Sequence, residues 1–198
     1  MTVIAMIRHG PTDWNENGIV QGRSDIPLSV RGREQVAGWS IPAKLENFDW
    51  VASPLSRATE TAHILSGNPP PTDDRLVEMD WSSWEGQTLP ALRAELGDLM
   101  AAWEAEGLDF RAPGGESPRE VQNRLKPFLS DRAQLDKKTI VVCHKGVIRA
   151  VYALAIGWDM KSKPPQKMQD GCAQLFSLDK NGMPTVLELD VDLAAQGT

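Results

Sequence analysis

The sequence is short of the residues that mark secreted, metal-binding or nucleic-acid-binding proteins. Only two of its 198 residues are cysteine, Cys143 and Cys172, and neither has a CxxC neighbour. That excludes a disulfide framework and argues against zinc or redox chemistry. There are three histidines, in no HxH or HExxH arrangement, so no metal site is expected. Basic residues number 21 against 27 acidic ones, for a formal net charge of -6. A chain so charged does not take nucleic acid or an anionic membrane surface as its main partner. Long hydrophobic runs are also missing. The apolar stretch at residues 2–7 is cut short by Arg8, too early for a signal sequence or a membrane span. The expected location is cytoplasmic. Gly114-Gly115 belongs to neither a GxxxxGK[ST] nor a GxGxxG pattern, so it is no nucleotide loop.

The chain does contain short apolar strands alternating with helices. Hydrophobic content of 41% and charged content of 24% are ordinary for a globular chain. Residues 2–7, 49–53 and 139–143 read as buried strands, and 172–178 and 185–189 as two more around an Asn181-Gly182 turn. Between them, helices are expected over 29–45, with Ser29 as cap and an early end near Pro42, and over 54–65. One or two helices broken near Gly97 should occupy 89–106. A helix over 118–135 has Ser117 as its cap and Pro118 at its first position, and a buried helix covers 147–157. Residues 8–28, rich in glycine and proline, read as one long functional loop. This order predicts an α/β protein with a largely parallel sheet, as a single domain over 1–198.

Two histidines share one setting. His9 and His144 each follow a buried strand at once, in Arg8-His9-Gly10 and His144-Lys145-Gly146. Loops at the carboxyl ends of parallel strands meet in one crevice, so these imidazoles can face a common pocket. Arg57, just after the 49–53 strand, can join them. Such a pocket suits phosphoryl transfer. Arginine forks match the phosphoryl oxygens, and a neutral imidazole is a competent nucleophile toward phosphorus. A second histidine, if protonated, adds positive charge, and a carboxylic acid can supply the leaving group's proton. His63, inside a helix, is assigned a structural place. Trp39, Trp50, Trp103 and Trp158 are assigned to packing, and Trp14 to the border of the loop.

The run Arg8-His9-Gly10-Pro11-Thr12-Asp13-Trp14-Asn15 resembles the RHG motif of the histidine phosphatase superfamily, also called the phosphoglycerate mutase-like family. The resemblance continues in family order through Gln21-Gly22-Arg23, Ser53-Pro54-Leu55-Ser56-Arg57-Ala58 and Leu76-Val77-Glu78. It closes with Trp84-Glu85-Gly86, Pro113-Gly114-Gly115-Glu116-Ser117 and Val141-Val142-Cys143-His144-Lys145-Gly146-Val147-Ile148-Arg149.

What the resemblance implies is a three-layer α/β/α sandwich and hydrolysis of small phosphomonoesters without metal or cofactor. His9 would take the phosphoryl group while Arg8, Arg57 and His144 hold its oxygens. Glu78 would act as the acid, with Asp80 and Glu85 as rivals close in sequence, and Thr12, Asn15, Gln21, Gly22 and Lys145 would line the substrate end. The partner would be a small phosphorylated metabolite. The nearest branches are α-ribazole phosphatase-like and broad-specificity phosphatases, and sugar phosphates, phosphoglycerates and fructose 2,6-bisphosphate stay open as substrates. A cofactor-dependent phosphoglycerate mutase and a non-catalytic phospholigand-binding protein are the alternatives. A homodimer is compatible with the sequence without being readable from it. Two positions depart from the family pattern: Pro11 stands where glutamate or another polar residue is common, and Lys145 where glycine is usual.

Overall fold

The apolar run near the N-terminus becomes the central strand of the sheet. A computed structural model describes residues 2–194; Met1 and residues 195–198, which the single-domain expectation also covers, lie outside the described residues. In chain order come β1 (Thr2–Arg8), α1 (Asp13–Glu16), α2 (Val30–Ala37), β2 (Asp49–Ala52) and α3 (Ser56–Ser66). They are followed by α4 (Leu89–Leu96), α5 (Asp98–Glu104), α6 (Pro118–Leu135), β3 (Thr139–Cys143), α7 (Lys145–Ile156), β4 (Cys172–Leu178) and β5 (Pro184–Asp192).

The strands lie in the order β2-β3-β1-β4-β5. β2, β3 and β1 are parallel neighbours, β4 runs against β1, and β5 runs against β4. Four strands therefore point one way and β4 alone is reversed, so the expected largely parallel sheet holds.

Alternation along the strands loads both faces. Ile4 and Met6 of β1, with Val141 and Cys143 of β3, pack against Val121, Leu125 and Phe128 of α6 and Val147 and Val151 of α7. Ala5, Ile7, Ile140 and Val142 point the other way, onto Ala58 and Ala62 of α3 and onto Leu45 and Phe48. Two-residue periodicity thus produces the three-layer α/β/α sandwich. Phe128 and Phe176 are both 0% exposed, and each such ring contributes about 1.5–3 kcal/mol by burial. A separate cluster of Trp84, Leu92, Met100 and Ala112, with Trp103 and Phe110 against it, is built around α4 and α5. Trp39, Trp50, Trp103 and Trp158 all serve packing, as expected.

Four boundaries differ from expectation. The helix capped by Ser29 stops at Ala37 rather than near residue 45. Trp39 is drawn out to bridge Ala194, and the Ser40 N–H donates to the Leu193 carbonyl at 2.7 Å, so tertiary pairing overrides the helical pattern. Residues 8–28 are not all loop, because Thr12 and Asn15 form a reciprocal capping box that closes the single turn of α1. α7 begins at Lys145, two residues earlier than the pattern suggests, because extended His144 serves as its N-cap residue. β5 runs on to Asp192, past the expected 185–189, following β4 through a register shift.

α6 begins where its sequence says. Ser117 Oγ accepts from the Glu120 N–H at 3.3 Å, and Glu120 Oε2 accepts from the Ser117 N–H at 2.8 Å. The Ser117→Ala chain should lose about 1 kcal/mol of stability, read as a lower midpoint in urea unfolding. An unchanged midpoint would contradict a stabilising cap.

Candidate active site

β1 and β3 are paired through Arg8 and Cys143, so the next residues, His9 and His144, emerge side by side. The ladder continues past the strand ends: the His9 N–H donates to the Cys143 carbonyl at 3.0 Å and the Ser53 N–H to the Val142 carbonyl at 2.9 Å. The imidazole centroids end up 5.2 Å apart, tilted by 58°. Three parallel strand ends thereby gather His9, His144 and Ser53. Arg57 follows on the first turn of α3, whose start comes straight after β2.

His9 lines a cavity of about 600 Å³ together with Arg8, Arg57, Glu78, Asn15, Gln21, Gly22, Lys145 and Arg149. Its Nδ1 lies 2.7 Å from the Gly10 carbonyl oxygen. A carbonyl only accepts, so Nδ1 carries the proton and Nε2 keeps its lone pair. Burial, then the Arg8 and Arg57 charges, hold His9 well below the usual imidazole range. It is neutral at neutral pH, the form a nucleophile needs.

His144 is fully buried behind His9 rather than on the cavity wall. Its Nε2 is 2.7 Å from Ser53 Oγ, and its Nδ1 is buried without a partner among the described residues. Burial and then the neighbouring His9, Arg57, Arg124 and Arg8 push it well below the usual range. Burial first, and then these surrounding positive charges, favour the neutral ring.

Arg57 is 0% exposed. Nη1 and Nη2 donate to the carbonyls of Ser24 and Gly22 at 2.8 and 2.7 Å. Arg8 sends Nη1 to Asp170 at 2.7 Å. The Nε–H groups of Arg8, Arg57 and Arg149 are all buried with no partner among the described residues. Buried donors without acceptors are costly, and several around one cavity describe a place for an anion.

The three carboxylates close in sequence differ in position. Glu78 lines the cavity, whereas Glu85 accepts from Arg23 N, Ser24 N, Ser24 Oγ and Trp81 N, and Asp80 accepts from Ser82 N. Glu78 Oε2 accepts from the Gly146 N–H at 3.1 Å and Oε1 from the Met79 N–H at 2.8 Å. A Cβ at Gly146 would crowd that carboxylate, so a side chain there would displace Glu78.

Thr12 does not line the cavity. It is fully buried, and its hydroxyl donates to Gln21 Oε1 at 2.9 Å while its N–H donates to Asn15 Oδ1 at 3.2 Å. Its part is to fix the two amides that do face inward. Arg23 also stays off the wall, paired with Asp80 and Glu116.

Sequence reasoning missed the parts that three residues play. Arg149 lines the cavity with its guanidinium 5.4 Å from the Trp158 ring centre, and it was visible only as the end of the last motif block. Arg124 donates to the Arg75 and Val77 carbonyls and pairs with Glu116 at 2.8 Å, so α6 grips the segment carrying Glu78. Glu85 anchors the Gly22–Ser24 turn whose carbonyls hold Arg57. Neither is findable from spacing, since each acts through a fold contact. Among the described residues no group of three or more His, Cys, Asp and Glu side chains could hold a metal ion, and no helix is long and apolar enough to cross a membrane.

The family model of the histidine phosphatase superfamily (branch 1) matches residues 4–191. A glucosyl-3-phosphoglycerate phosphatase of Mycolicibacterium vanbaalenii is 33% identical, covering 81% of this chain and 77% of its own length. A 2,3-bisphosphoglycerate-dependent phosphoglycerate mutase of Beijerinckia indica is 28% identical, covering 90% of this chain and 93% of its own. Among solved structures, a mycobacterial glucosyl-3-phosphoglycerate phosphatase complexed with VO3 superposes with a TM-score of 0.79 at 27% identity, covering 98% and 99% of the two chains.

The depressed basicity of both rings is directly observable. In a proton NMR titration the His9 and His144 ring signals should stay in their neutral positions as pH falls through 6.5 and move only at lower pH. Arg57→Gln removes one depressing charge and should raise the His9 midpoint. Midpoints at or above the free-imidazole value would contradict this electrostatic reading.

Proposed function

We propose that this chain, which belongs to the histidine phosphatase superfamily (branch 1), hydrolyses small phosphomonoesters through a phosphohistidine formed on Nε2 of His9. The observation that carries the reading is the neutral His9, with Nδ1 tied to a carbonyl, ringed by buried guanidinium donors that have no partner among the described residues. The phosphoryl oxygens engage Arg8, Arg57 and Arg149, with His144 behind them. Nε2 attacks phosphorus, the bond to the leaving oxygen breaks in line, and Glu78 as the acid gives that oxygen its proton. The phosphorylated imidazole is cationic, and the Gly10 carbonyl on Nδ1–H stabilises it. Glu78, now a carboxylate, takes a proton from water as that water attacks phosphorus. The P–N bond breaks, its electrons return to Nε2, and inorganic phosphate leaves.

Asn15, Gln21 and Gly22 border the leaving group in this reading, and Lys145 stands at the rim. Apolar Met100, Phe110 and Trp81 cover the outer part of the cavity. The scheme asks for no metal or cofactor, and the chemistry of the donors is that of an anion cradle. Residues 1–198 act as one domain in this proposal, and the ordinary composition and low cysteine count suit a cytoplasmic enzyme. Relatives named for glucosyl-3-phosphoglycerate and for phosphoserine support a small organic ester as the substrate.

The test is phosphate release from a panel of small phosphomonoesters in EDTA. His9→Ala should lose about a thousandfold or more, and Glu78→Gln about a hundredfold to ten-thousandfold. Equal release by wild type and His9→Ala would contradict the mechanism. Interconversion of phosphoglycerates without net release would assign a mutase instead.

A further inference from the structure

We propose that a second anion subsite adjoins the phosphoryl pocket, formed by Lys145, Arg149, Lys163 and Lys167, and that it receives a negatively charged group carried by the substrate's leaving group. This rests on the proposed function for the placement of the phosphoryl end. A separate cavity of about 340 Å³ has Arg8, Lys145 and Arg149 in common with the catalytic cavity, so the two meet at those three side chains. Its size is that of a small-ligand site.

The charge on its walls is unbalanced. Lys145, Arg149, Lys163 and Lys167 make no salt bridge or side-chain hydrogen bond among the described residues, in a chain whose net charge is -6. Asp170 is the one carboxylate lining the cavity, and Arg8 already engages it at 2.7 Å. The carboxylate whose charge acts on Arg149 is Glu78, which is committed to the Gly146 and Met79 N–H groups. Arg149 is held in place by Trp158, and its Nε–H is buried without a partner. Burial, then the charges of Arg8, Arg149 and Lys167, lower Lys145 from the ordinary lysine range, with Asp170 opposing. Exposed Lys145, Lys163 and Lys167 share one concave wall with half-buried Arg149.

The wall is also ordered. Gln166 Nε2 and the Gln169 N–H donate to Asp190 at 3.1 and 2.7 Å, which fastens the segment that carries Lys163 and Lys167. Ile148, Pro164 and Met168 give the cavity an apolar floor. The class of substrate that fits both cavities is a phosphomonoester with an apolar body and a distal carboxylate or phosphate. Lys145, which lines both cavities, stands at the junction.

Binding to the His9→Ala chain tests the subsite without turnover. The probes are phenyl phosphate, para-carboxyphenyl phosphate and para-phenylene bisphosphate, compared by calorimetry. One or both charged probes should bind about tenfold more tightly than phenyl phosphate, the size of two or three partly exposed charge contacts. Which charged probe gains more distinguishes carboxylate from phosphate. Adding Lys163→Gln with Lys167→Gln should collapse that ratio toward one, and Lys163→Glu with Lys167→Glu should invert it. Equal affinity for all three probes, or a preference that survives both double variants, would overturn the assignment. Wild-type turnover of phenyl phosphate is read separately: its absence would contradict the proposed function while the binding ratio still decides the subsite.

Discussion

Arg57 carries its charge with no exposure to solvent, and two backbone carbonyls take up only part of its five N–H donors. A buried guanidinium in that condition constrains everything around it. Its carbonyl partners sit on the Gly22–Ser24 turn, so that turn must be pinned, and Glu85 pins it with both carboxylate oxygens. Gly22 turns at φ +53 against that same carboxylate, where a side chain would collide. The same charge, after burial itself, helps to keep His9 and His144 unprotonated. In the proposed reaction this buried cation acts twice. It keeps the nucleophile neutral, and it gains most when a phosphoryl dianion arrives.

The supporting layer follows from where parallel strands end. β3 lies between β1 and β2, so both of its neighbours release their chains beside His144. Each loop after a strand then has one task. The loop after β1 places His9 and the Thr12-centred amides, and the start of α3 places Arg57. The α7 entry offers the Gly146 N–H to Glu78, while Arg124 of α6 holds the preceding backbone. The cluster over α4 and α5 lies apart from the two main cores and supplies the apolar roof.

Much of this could be read from the sequence because local chemistry and tertiary need agree there. β3, β4 and α6 have the expected bounds, since their apolar runs, the Ser117 cap and Pro118 all point one way. The boundaries that moved are those where a distant partner decides. Trp39 leaves its helix to pair with Ala194, and α1 is one turn closed by side chains rather than by periodicity. In the site, the motif residues His9, Arg8, Arg57 and Glu78 do converge on one cavity. Thr12 and His144 turned out to stand behind its wall, because sequence order says nothing of which side chain reaches the surface. Arg124 gave no local signal beyond its charge, and Arg149 and Glu85 showed only as members of motif blocks. Their roles exist only once helix and turn are packed together.

The central claim is that the phosphoryl group passes through His9, and rapid-quench trapping during turnover of a labelled phosphomonoester tests it most directly. An acid-labile, alkali-stable label on the peptide containing His9, absent from His9→Ala and decaying at the rate of turnover, is the predicted result. No label on the chain during turnover, or label on any other residue, would contradict the account.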